Sequence, residues 1–234
     1  MELPIIISGL DAGAFYALIA LAYYVLQRST GLVNFAVGSY AMFSGMTVAY
    51  LVKVMGISAW LAVPAAIATA IAISILADYL IIRPILRRTT EEFAPVMAFV
   101  AVMFVIEQTT GLIFGHQTVS GEYYLDGVFH FGNFGLDHQS VLAFCVTIAM
   151  FAGVWFWLRH GRYGRMLRAA GDNEHGARAL GLPITKIRLS ALTTGGLLCG
   201  IAGILVAPPY SVSDSARLSA RPRAFLDHGN ERML

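Results

Sequence analysis

The sequence predicts an all-α polytopic membrane protein of about six transmembrane helices, with one short helix outside the bilayer. Three observations predict it. The chain is 57% hydrophobic and only 13% charged, whereas a soluble domain carries about 25% charged residues. Six apolar runs each approach the roughly 20 residues that cross about 30 Å of hydrocarbon. The basic residues collect in particular connectors instead of spreading over a surface.

The six runs are Ile5–Leu26, Leu32–Val52, Ala59–Ile82, Phe93–Phe114, Ser140–Leu158 and Leu189–Ala207, within a membrane domain covering residues 1–207. Helices follow because lipid offers no partner to a free backbone N–H or C=O. Barrel strands would alternate polar and apolar residues, but stretches such as Ile67–Ile73 are apolar on every side. The first run lacks the basic flank of a signal peptide, since only Met1, Glu2, Leu3 and Pro4 precede it, and it reads as a retained helix. Small residues four apart, Gly9 with Gly13, Gly45 with Ala49 and Gly196 with Gly200, would let helices approach closely. Cys145 and Cys199 sit inside apolar runs at no metal or redox spacing.

Basic residues in short loops mark the cytoplasmic side. The third connector holds Arg83, Arg87 and Arg88, and the fifth holds Arg159, Arg162, Arg165, Arg168, Arg178, Lys186 and Arg188. Between them, Gly115–Gln139 has no Lys or Arg. The first connector holds only Arg28 and the second only Lys53; the third and fifth connectors are therefore assigned to the cytoplasm, with the N-terminus and Gly115–Gln139 outside. That outer loop, rich in glycine and aromatics, suits short extended pieces. Its His116, His130 and His138 match no metal motif, and no metal ligand set is assigned. Basic residues placed at membrane ends imply no nucleic-acid partner.

Within the fifth connector, Asp172 reads as an N-cap, with Asn173 and Glu174 opening a helix whose positive end favours acid. Ala177, Ala179 and Leu180 continue it, Gly181 suits the left-handed C′ position, and Pro183 stops it. So short a helix needs packing, because nucleation is costly. Ala177 and Leu180, three apart, would form a small apolar patch, facing either this chain's own helices or another protein.

The stretch Arg168-Ala169-Ala170-Gly171-Asp172-Asn173, followed by Ala177 and Leu180-Gly181-Leu182, resembles the branched-chain amino-acid permease family of ABC importers. Gly31-Leu32-Val33-Asn34-Phe35-Ala36-Val37-Gly38, Arg83-Pro84-Ile85-Leu86-Arg87 and Ile113-Phe114-Gly115 resemble it too, in the same order. The likeness covers roughly Ile5 to Pro208. It implies that the short helix, Asp172, Asn173, Ala177, Leu180 and Gly181 included, is a coupling helix docking on an ATP-binding subunit. It also implies a second permease subunit, an external solute-binding protein and a location in the bacterial inner membrane. The chain carries no Gly-x-x-x-x-Gly-Lys-Ser/Thr phosphate loop. It is thus expected to move solute without being an enzyme, to hold no cofactor, and to leave ATP to the partner.

Polar groups inside spans are costly and so are functional candidates. Glu107 with Gln108 in the fourth run, and Asn34, Gly38 and Ser39 at the start of the second, are the expected solute pathway. The family more often has His and a carboxylate at the positions of Val37 and Ser39, which bears on the solute. Asp11 lies early in the first run, and Asp78 near the cytoplasmic end of the third reads as an interfacial ion pair with Arg83. The competing reading is an ion-coupled secondary transporter using Glu107 or Asp11, although no matched repeat is visible. A membrane-embedded enzyme would need clustered catalytic groups, and none is found. After Ala207 the composition turns polar, with Arg217, Arg221, Arg223 and Arg232 emerging on the wrong side. A polar terminus could be a disordered tail; because the family continues with further helices, residues 208–234 are instead expected to mark a truncation or an out-of-frame stretch.

Overall fold

The computed structural model describes residues 2–88, 93–115, 128–131 and 134–206. The polar tail, His116 and the side chain of Asp11 lie outside that description.

Helices occupy all six apolar segments: α1 (Glu2–Thr30), α2 (Val37–Lys53), α3 (Ala59–Ala77), α5 (Ala94–Phe114), α6 (His138–His160) and α9 (Ile184–Val206). A π-helical turn, Asp78–Ile82, carries α3 into α4 (Arg83–Arg88). Two more helices, α7 (Arg162–Asp172) and α8 (Glu174–Ala179), fill the connector between α6 and α9. Four stretches, Ala59–Ile85, Ala94–Phe114, His138–His160 and Ile184–Leu205, are long and apolar enough to cross a membrane by length and composition. In the outer loop, β1 (Val128–Phe131) pairs antiparallel with β2 (Phe134–Asp137), Val128 opposite Asp137, which supplies the expected extended pieces.

The core sits around α9, on which α1, α2, α3 and α7 all pack. Its glycines allow this. A methyl group on Gly196 would stand 2.8 Å from the Ile71 Cα of α3, and one on Gly203 would stand 1.9 Å from the Ala41 carbonyl oxygen of α2. Gly45 faces back onto Gly203 at similar range, 2.8 Å from its carbonyl oxygen. Close backbone approach is how helices associate where no hydrophobic force drives them together. Gly9 and Gly13 have nothing within 4 Å, so that pair makes no helix contact in this structure. The Ser44 hydroxyl lies 3.2 Å from the Ala66 carbonyl and 3.1 Å from that of Gly200, and Ser74 donates to Leu192. These serines join α2, α3 and α9 without placing an unpaired polar atom in the core. Large apolar side chains such as Trp60, Met97, Leu112 and Ile148 point outward, as a lipid-facing surface requires.

Two helix starts differ by five residues from the sequence expectation. Helix α2 starts at Val37, not Leu32. Gly31, at φ +67°, ends α1 by donating to the Gln27 carbonyl, and Asn34 Oδ1 accepts the Ala36 N–H at 2.9 Å. That side-chain bond offers the backbone an alternative to helix. Helix α9 starts at Ile184, five residues before Leu189, because backbone bonds from Lys186 and Ile187 to the Pro183 carbonyl begin it directly after the proline.

Candidate functional site

The arginine-bearing connectors meet at one end of the bundle. Helix α7 lies across that end. Its Leu167 is fully buried, while Arg162, Arg165 and Arg168 are exposed. Two glycines seven apart make the fit possible. A methyl on Gly164 would stand 2.3 Å from the Trp157 carbonyl oxygen, and one on Gly171 2.8 Å from that of Arg28. Arg28, in the last turn of α1, donates to Asp172 at 2.7 Å. Hydrogen bonding to Tyr24 and then to Asp172 raises its pKa above the ordinary value, so the guanidinium stays charged.

Asp172 therefore ends α7 instead of capping the next helix. The N-cap of α8 is Asn173, whose Oδ1 accepts the Gly176 N–H at 2.8 Å. The cap lies one residue later than expected because α7 is hidden in the sequence: Gly164 and Gly171 look like helix breakers when they are packing residues. At the other end the expectation holds. Gly181 has φ +74°, its N–H bonds the Arg178 carbonyl, and the Leu182 N–H bonds that of Ala177. This is a Schellman closure, which a left-handed glycine makes without steric cost. The expected Ala177–Leu180 patch does not form. Ala177 is 5% exposed and turns into the protein, whereas Leu180 is 81% exposed. Helix α8 thus hangs from the arginine end by its caps and presents a bare leucine.

The second cluster lies between α2 and α5. Ser39, buried, donates to Glu107 Oε1 at 3.4 Å, a long contact, and Glu107 is itself half-buried. Glu107 is ~20 Å along α5 from Ala94 at 1.5 Å per residue. Since α2 begins only two residues before Ser39, it opens inside the bundle, and non-helical Gly31–Ala36 climbs to reach it. Such backbone is tolerated at membrane depth only when protein or a cavity surrounds it; Asn34 and Ala36 are buried. Gly38 and Gln108 are exposed and stand apart from the Ser39–Glu107 pair. Farther along, the Phe114 ring meets Phe43 and Tyr50 at 5.5 and 5.4 Å, closing α5 on α2.

The third cluster was not expected in this form. Asp78 pairs with Arg83 as expected, but it is 4% exposed and has a second partner. Arg83 Nε donates to its Oδ2 at 2.7 Å, and Arg188 Nε lies 3.0 and 3.1 Å from its two oxygens, with Arg188 Nη2 also on Oδ1. The sequence showed Arg83, five residues away; Arg188, 110 residues on, becomes a neighbour only through the α3–α9 packing.

The chain matches the family described as branched-chain amino acid transport system / permease component over residues 5–225. It is 26% identical to the high-affinity branched-chain amino acid transport system permease protein BraD of Pseudomonas aeruginosa, across 88% of this chain and 71% of that protein. It is 28% identical to LivH of Escherichia coli, a permease of the same description, across 88% of this chain and 70% of the relative. The ribose import permease protein RbsC of Escherichia coli is 27% identical across 89% of this chain and 60% of its own length. No solved structure matches the chain.

Proposed function

The chain belongs to the family of permease components of branched-chain amino acid transport systems, and from that premise we propose that α8 is the element through which an ATP-binding subunit drives it. As a multi-pass membrane permease of an ABC importer it supplies the path for the solute. ATP would be bound and hydrolysed by the partner, because this chain lacks a phosphate-binding loop. The observation that carries the reading is the exposed Leu180 at the C-cap of a six-residue helix closed at both ends. A helix this short is unstable alone, so its completed caps argue for a surface held in shape for another protein. A single exposed apolar side chain in a polar setting suits insertion into a groove.

The proposed pathway runs along α2 and α5, past Asn34, Ser39 and Glu107, with Gly38 and Gln108 exposed on the same two helices. A carboxylate and a hydroxyl offer acceptors and a donor to a small polar solute, and the α2 N-terminus inside the bundle favours its anionic group. Branched-chain amino acids are the leading solute, as in the names of BraD and LivH. Similarity to a ribose permease extends the range to other small polar solutes. The remaining proposed parts are a second permease subunit, an external solute-binding protein and the bacterial inner membrane.

Replacing Leu180 with Asp tests the coupling surface. Because the side chain is exposed, the permease should fold and insert normally, while the ATP-binding subunit no longer co-purifies and uptake stops. Normal co-purification and uptake in Leu180→Asp would remove α8 from the coupling role.

A further inference from the structure

Asp78 lies outside the proposed pathway and outside α8, yet it is the most heavily paired charge among the described residues. Its carboxylate faces two guanidinium groups from different helices: Arg83, just beyond the π-helical turn, and Arg188, in the second turn of α9. The side chains of Arg83 and Arg188 are themselves mostly buried, and the Arg83 guanidinium lies 5.8 Å from the Tyr79 ring centroid. π-helical turns inside α-helices recur at functional sites. This one begins at Asp78 itself.

The joint between α8 and α9 has little slack. Leu182 bonds back to Ala177, Ile184 to Leu182, and Lys186 and Ile187 to Pro183. A displacement of α8 is therefore passed to the first turns of α9, where Arg188 stands. Above that level α3 and α9 are locked by Ser74 on Leu192, Gly196 on Ile71 and Gly200 on Ile67. At the arginine end the lock is electrostatic. A two-nitrogen guanidinium fork on a carboxylate fixes direction as well as distance.

We propose that Asp78 is the transmission residue of this permease, the carboxylate by which Arg188 and α9, moved by α8, carry the π-turn and α4 with them. The inference rests on the coupling role assigned to α8. Asp78 is a positioning residue: it touches neither solute nor ATP.

The test uses the whole importer reconstituted in vesicles, with solute uptake and ATP hydrolysis measured together. In Asp78→Asn, with shape kept and charge removed, the complex should assemble and hydrolyse ATP while solute moved per ATP falls about tenfold, within the usual range of coupling energies. Arg188→Lys keeps the charge and loses the fork; it should show the same defect more weakly, and it serves alone if Asp78→Asn does not accumulate. An unchanged solute-to-ATP ratio in Arg188→Lys, or uptake and hydrolysis in Arg188→Lys falling only in step with the amount of folded complex, would overturn the proposal. Leu180→Asp separates this from the premise. If it blocks subunit association while the Asp78 and Arg188 variants keep a normal ratio, the transmission role fails and the docking role survives. If Leu180→Asp changes nothing, the docking role fails whatever Asp78 does.

Discussion

At the scale of single residues, the costliest placements are the carboxylates. Asp78 resolves its cost by pairing with two arginines, whereas Glu107 has one long contact from Ser39. A half-buried carboxylate with so light a local partner suits an exchangeable ligand better than a structural brace. Replacing Glu107 with Ala is predicted to raise the KM for uptake about ten- to hundredfold, the loss of a hydrogen bond to a charged group, with hydrolysis by the partner retained. Uptake into vesicles across a solute series measures this. The sequence made Glu107 visible because a charge in an apolar run is costly, whether it serves solute or a hydrogen bond to a neighbouring helix. It hid Asp78 behind its proximity to Arg83, since the decisive partner is remote in the chain. Gly181 was readable one residue at a time, for a left-handed closure before Leu-Pro has few other candidates. Asn173 was not, because Asp and Asn cap equally well and only the presence of α7 decides between them.

At the scale of elements, the stability of the bundle turns on backbone-to-backbone approach at α9. Gly203→Ala would press a methyl into the Ala41 carbonyl and is predicted to cost about 1–3 kcal/mol, as overpacking does. Gly13→Ala, with open space around it, should be neutral or slightly stabilising by helix propensity. Thermal unfolding in detergent compares the two. The four-residue spacing alone cannot tell them apart: Gly9 with Gly13 and Gly196 with Gly200 look alike in sequence, and only the second pair meets a neighbour. Spans were legible because twenty apolar residues have one solution in lipid. Helix α7 was not, because its glycines suppress helix propensity locally and its stability comes from lying on α1, α6 and α9.

At the scale of the molecule, the three arginine-bearing connectors share one end. Arg28 touches Asp172, and Asp78 gathers Arg83 and Arg188. Charge counting along the chain assigned the third and fifth connectors to one side of the membrane, and the packing joins all three without using that rule. Two independent lines thus give the molecule a basic pole carrying α8 and an opposite pole carrying the β1–β2 hairpin and the Met55–Gly56 turn. Helix α8 can meet an ATP-binding subunit only if the basic pole faces the cytoplasm. Cysteine placed at Leu180 or at Met55, both exposed, in the permease expressed without its ATP-binding subunit, and challenged with a membrane-impermeant thiol reagent on spheroplasts, decides it. The prediction is labelling of Met55→Cys on closed spheroplasts and of Leu180→Cys only after the membrane is opened. Labelling of Leu180→Cys from outside a closed membrane would contradict it.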